Sequence, residues 1–155
     1  MSPLPWLLQW RATVYAVDLP RPDIWQRLLR LAHDGNGTLR APFRVDPGPG
    51  ATVDALAQQA GADLIVDTPE VADWLAAADG PLTVGAYAYL DSALHVRVSA
   101  AMDSIQARLA AQRRDVMLGL GGAATAIPLA VHAQQRAMPV VGYLSNGARE
   151  AFAPY

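Results

Sequence analysis

The sequence predicts an α/β domain. Its layered, mixed sheet follows the order βαβαβαββα over residues 11–112, and an apolar helix and one further strand come after it. Three observations carry this. Alternating, β-branched or aromatic runs are separated by stretches with apolar residues at helical spacing. Pro and Gly punctuate the junctions between them. The 155 residues are 52% hydrophobic and only 17% charged, enough to bury one core and too apolar for wholesale disorder.

"RATVYAV" (11–17) is rich in β-branched and aromatic residues and reads as a strand. The next segment, "DLPRPDIWQRLLRLAHDGNG", sets Ile24, Leu28 and Leu31 on one helical face, with Trp25, Leu29 and Ala32 beside them. Prolines start this helix and Gly35-Asn36-Gly37 stops it. "TLRAPFRV" (38–45) alternates, and its internal proline marks an edge strand. "DPGPG" (46–50) is a loop, after which Thr52 caps a short helix closed by Gly61. "DLIVD" (63–67) reads as a short apolar strand, and Thr68-Pro69 opens the helix "PEVADWLAAADG". "LTVGAYAYL" (82–90) and "ALHVRVS" (93–99) alternate around Asp91-Ser92, the pattern of a hairpin. The polar helical stretch "MDSIQARLAAQRR" follows.

Charge and aromatic content divide the chain. Residues 1–101 hold seven Arg against eleven acids, a net of −4, and residues 102–155 hold five against three, a net of +2. All four Trp fall in the first part (Trp6, Trp10, Trp25 and Trp74). There is no lysine, and no basic run with interleaved aromatics, so nucleic acid is not an expected partner. Without cysteine there are no disulfides, thiolate metal sites or cysteine nucleophiles.

"VDLPRPDIW" (17–25) and "VDTPEVADW" (66–74) share Val-Asp-x-Pro and a Trp eight positions after the Val. Nine-residue matches are too short to establish a duplication. Each reads as a strand end, an Asp, and a proline that opens a helix. With parallel strands, Asp18 and Asp67 sit along the carboxyl edge of one sheet, where open α/β sheets bind ligands. There they can hold Mg²⁺ or share acid–base work. They can equally cap helix N-termini and turns. His33 suits a helix C-terminus, His95 the solvent face of the hairpin, and His132 has no evident partner. The three have no metal-site spacing. Tyr87 and Tyr89 share a strand face and can stack on a ligand or simply on the sheet. Gly119-Leu120-Gly121-Gly122 lacks the spacing and the acidic residue of a dinucleotide loop.

From Gln112 the pattern changes. Arg113 and Arg114 precede "VMLGLGGAATAIPLAV" (116–131), which carries no charge and is shorter than the roughly 20 residues of a membrane span. Pro128 and the small residues around Val131-His132-Ala133 resemble a signal-peptidase exit, with a cut after Ala133. The paired arginines fit a twin-arginine signal. A Gly/Ala-rich core helix has the same composition.

Residues 112–155 resemble the signal peptide and first strand of bacterial ABC-transporter substrate-binding proteins of the type I periplasmic family. The resemblance rests on Arg113-Arg114, Leu120 to Ala124, Pro128-Leu129-Ala130, Ala133-Gln134-Gln135 and Met138 to Ser145. It implies that "PVVGYLS" is the first strand of a two-lobed binding fold, and that Ser145 and Asn146 in the following loop bind a small-molecule solute. It also implies export machinery and an ABC permease as partners, no cofactor and a periplasmic or membrane-associated location. The chain departs from that family in ending at Tyr155, well short of two lobes.

Residues 1–101 then form a small α/β domain of no recognised family, 102–133 a signal-like segment, and 134–155 the truncated start of a binding fold. Three accounts reconcile these parts: translation from Met102, a fusion, or one cytosolic α/β domain with 116–131 as a buried helix and "PVVGYL" in its sheet. The functional expectation is a non-catalytic fragment or fusion of an importer's solute-binding component. The alternative is a small cytosolic α/β enzyme or ligand-binding domain that uses Asp18 and Asp67. A third reading makes the apolar segment a dimer or membrane contact.

Overall fold

The computed structural model describes residues 4–88, 92–120 and 140–145. Among the described residues five strands form one sheet: β1 (Thr13–Val17), β2 (Thr38–Arg40), β3 (Leu82–Tyr87), β4 (Val116–Leu120) and β5 (Val140–Ser145). Their spatial order is β2-β1-β5-β3-β4, and every pairing is parallel. Among the described residues the sheet is therefore parallel, where the sequence predicts a mixed one.

Helices cover both faces, as a parallel sheet requires. On one face α1 (Leu4–Gln9), α2 (Pro22–Asp34) and α3 (Val53–Gln59) supply Leu4, Leu8, Ile24, Trp25, Leu28 and Ala57 to a core shared with Val14, Ala16 and Tyr143. On the other, α4 (Thr68–Ala76) and α5 (Ser92–Gln112) bring Val71, Leu75, Val98, Met102, Ile105 and Leu109 onto Val17, Leu82, Val84 and Leu144. Alternate residues of β1 and β5 thus serve opposite cores, the period-2 consequence of a strand buried on both sides.

The structure corrects several elements. The hairpin over 82–99 is absent: β3 lies between β5 and β4, and residues 92–112 form the single helix α5. Val98, Ala101, Met102, Ile105 and Leu109 are its buried face, at helical spacing, while Leu94 and Val96 in the alternating stretch are exposed. "DLIVD" is a turn rather than a strand. The Asp63 carboxylate accepts the Ile65 N–H at 2.9 Å and Asp67 Oδ2 accepts the Asp63 N–H at 2.8 Å, so two side chains satisfy the backbone locally. The strand expected over 38–45 stops at Arg40. Past Pro42, Phe43 keeps only an isolated antiparallel bridge to Ala60. Residues 116–120 of the expected apolar helix are the edge strand β4; 121–131 lie outside the described residues. Among the described residues no helix is long and apolar enough to cross a membrane. Sequence periodicity did not reveal α1, whose Leu4 and Leu8 are buried.

β5, the strand on which the family resemblance rests, occupies the centre of the sheet. It pairs over Val140–Leu144 with β1 and over Val140–Ser145 with β3. Helix α5 runs continuously across residues 101 and 102, and strands from either side of that point share the sheet.

Candidate binding cleft

From β1 the chain moves outward to β2, and from β3 outward the other way to β4, with β5 between the two halves. The carboxyl ends of β1, β5 and β3 therefore meet where the winding reverses, the place where open α/β sheets gather ligands. Ser145 pairs in register with Tyr87, and Leu144 with Val17, which sets Asp18 one step past Val17 on the same edge. The Asp18 residue is only 2% exposed. Its Oδ1 accepts the Leu19 N–H at 2.8 Å, and its carbonyl accepts the Ala62 N–H at 2.9 Å. The second bond ties the end of β1 to the segment after α3.

Beside this edge lies an open cleft of about 390 Å³, lined by Pro42, Phe43, Arg44, Gly61, Ala62, Asp67, Glu70, Val71 and Trp74. The first wall is the chain leaving β2, held by the Phe43–Ala60 bridge and by the Gly61 N–H donating to the Pro42 carbonyl at 3.0 Å. The floor is Gly61-Ala62. Gly61 has φ +119, and a Cβ there would stand 2.5 Å from Pro20 Cα and 2.7 Å from Trp25 Nε1. Only glycine fits this approach. Trp25 is fully buried and donates its indole N–H to the Leu19 carbonyl at 2.9 Å, which fixes the turn that Gly61 packs against.

The second wall is α4. Pro69 stands in its first turn, where a missing N–H costs nothing, and the Thr68 hydroxyl donates to the Leu64 carbonyl. Asp67, Glu70, Val71 and Trp74 recur at i, i+3, i+4 and i+7, one stripe of the helix turned to the cleft. The Trp74 ring packs against Tyr15 at a centroid distance of 5.0 Å. Arg44 Nη2 bridges both oxygens of Asp67 at 2.8 and 2.9 Å, with side-chain exposures of 69% and 14%. Glu70 is exposed and makes no ion pair among the described residues.

Of the residues predicted to act, Asp67 lines the cleft and Asp18 does not. Asp67 does not end a strand; it stands at the N-cap position of α4. Ser145 ends β5 on the carboxyl edge; Asn146 and Ala133 lie outside the described residues. Arg113 is placed by α5 and β4 under the far end of α4. Its guanidinium donates to the carbonyls of Ala76, Ala78 and Gly80 at 3.3, 2.5 and 2.5 Å and pairs with Asp115 at 2.8 Å. Its neighbour Arg114 is exposed. Tyr87 stacks on Tyr143 at 5.1 Å, and Tyr89 lies outside the described residues. His95 lies on α5 and is exposed, as is His33 at the end of α2; His132 is outside the described residues.

Sequence reasoning missed Phe43, Arg44, Glu70 and Trp74. For α4 the signal was present in the i, i+3, i+4, i+7 run from Asp67 to Trp74. For Phe43 and Arg44 it was not, because the segment reads as strand. Among the described residues no group of three or more potential ligands is placed to hold a metal ion. No protein-family model, curated protein or solved structure matches the chain.

Proposed function

We propose that this chain is a non-catalytic α/β domain that binds a small-molecule solute in the cleft between the β2–α3 segment and α4. The observation that carries the reading is the cleft itself. Its volume of about 390 Å³ falls in the range of small-molecule pockets, and it combines apolar walls with a few convergent charges. It also stands at the carboxyl edge of a parallel sheet with helices on both faces. The lining offers aromatic surface and charge that can hold a solute. The family resemblance also implies solute binding, but it assigns that role to the loop after β5, which contributes no residue to the lining of this cleft.

The test is a solute panel read by thermal shift and tryptophan fluorescence on the full chain. At least one small polar-aromatic or polar-aliphatic solute should raise the melting temperature, and Trp74→Ala should remove the effect. A panel in which no solute acts, or in which every effect survives Trp74→Ala, overturns the reading.

A second reading draws on the Arg113-Arg114 to Gln135 pattern: a fragment or fusion of an ABC importer's solute-binding component, exported after a cut at Ala133. It makes an opposite demand on β5, which a cut at that point would take from between β1 and β3. Intact mass measurement of the protein recovered from a bacterial host separates the two. A fragment beginning at Gln134 supports export; an undivided chain supports the folded domain.

A further inference from the structure

We infer that the cleft selects small organic cations, namely a protonated amine or guanidinium on an apolar body, and that Arg44 is an intramolecular occupant which such a ligand displaces. The inference rests on the solute-binding reading and names its substrate class.

The argument begins with charge. The lining residues carry one cation and two carboxylates. The single cation is already committed: one Arg44 nitrogen spans both Asp67 oxygens at 2.8 and 2.9 Å. Glu70 is left as a carboxylate without an ion pair among the described residues, one turn along α4 from Asp67 and one turn before Trp74. An anionic solute would have to draw Arg44 from Asp67 and then lie against two uncompensated carboxylates. A cationic solute meets one carboxylate at once and gains a second when Arg44 swings out.

That displacement costs little. Arg44 is 69% exposed, and an ion pair so open to water is weak and readily replaced. Asp67 keeps a second partner without Arg44, because its Oδ2 also accepts the Asp63 N–H at 2.8 Å. The carboxylate is therefore preorganised, while its present partner is not. Phe43, Val71 and Trp74 supply the apolar wall beside it, and a cation next to an indole gains further from the ring quadrupole. Trp74 is steadied by Tyr15 from the strand side, so the wall exists before the ligand arrives.

The test uses three probes of matched shape on the full chain: 2-phenylethylamine, 3-phenylpropionate and 3-phenylpropanamide, each titrated by calorimetry and tryptophan fluorescence. The amine should bind at least tenfold more tightly than the carboxylate, with the amide between them. Glu70→Gln should erase most of that preference. Arg44→Ala should tighten the amine several-fold by removing its competitor, whereas Arg44→Lys should leave it nearly unchanged. Should the carboxylate bind best and Arg44→Ala abolish it, Arg44 is the recognition element and the inference is overturned, while solute binding at this cleft stands. Equal binding of all three, lost in Trp74→Ala, likewise ends the cation selectivity and keeps the site. Failure of all three probes in both the wild type and Arg44→Ala ends the assignment to organic cations, and the wider solute panel alone then decides whether the cleft binds anything.

Discussion

Gly61 shows how much of the cleft depends on one missing carbon. Its φ of +119 lies where side chains are strained, and a Cβ would meet Pro20 and Trp25, both held by the turn that ends β1. Gly61→Ala should therefore lose on the order of 1–3 kcal/mol from backbone strain, and more from the clash. The cleft floor should open with it, so solute binding and melting temperature should fall together. Arg113 and Arg114 provide the sharpest contrast between neighbours. Arg113 satisfies carbonyls at and beyond the end of α4 from a position only 11% exposed, while Arg114 faces water. Arg113→Lys keeps the charge but loses the fork, and should cost roughly 1–3 kcal/mol in chemical denaturation; Arg114→Lys should cost nothing measurable. Equal, negligible effects of the two on the folded protein would remove the capping role. The Arg113 guanidinium also lowers the Asp115 carboxyl below its ordinary value of 3.8, as Arg21 does for Asp23. A carboxyl lowered by folding stabilises the folded chain above its unfolded value and stops doing so as pH falls through the lower folded value. The Asp115→Asn variant should accordingly show a flatter dependence of stability on pH below about 3.8, with no difference in slope at neutral pH.

At the scale of elements, the sequence was most legible where one pattern had one meaning. The amphipathic run after Pro22 is α2, Thr52 caps α3 by accepting the Ala55 N–H at 3.2 Å, and Pro69 opens α4. Misreadings arose where a short apolar run fits two states. "ALHVRVS" alternates over seven residues, yet Val98 is also the first of a longer helical series that continues to Leu109, and the longer series buries more surface. "DLIVD" looks like a strand because its middle is apolar, but only Leu64 of that middle is fully buried and Val66 is exposed. The aspartates at its two ends close a turn instead. In sequence "VMLGL" reads as one helix with the uncharged residues after it. As a strand it pairs from Val116 to Leu120 with Leu82 to Ala86, a partner no local pattern could announce. The cleft was half legible for the same reason. Its α4 wall follows from helical spacing, whereas its other wall depends on Phe43 reaching Ala60 from a segment in which Pro42 had already broken the strand.

At the scale of the whole molecule, the decisive feature is that the last described strand is the middle of the sheet. A chain ending at Ala133 would leave β1 and β3 without the partner between them, and would delete Tyr143 from one core and Leu144 from the other. Burying one such side chain contributes about 1.5–3 kcal/mol, and the two lost ladders add to it. The whole margin of a small domain is only about 5–15 kcal/mol. Residues 1–133 made alone should therefore show no cooperative thermal transition by circular dichroism, while the full chain shows one. No residue of β5 lines the cleft, so it should be lost only through this global effect. A 1–133 protein that melted cooperatively at the temperature of the full chain would mean that β1 and β3 close on each other without β5. The carboxyl-terminal segment would then be free to serve as the exported piece that its sequence resembles. A truncated chain that instead populates a compact state without fixed packing would show far-UV signal without a sharp transition, and would place β5 as the strand that locks two otherwise loosely joined layers.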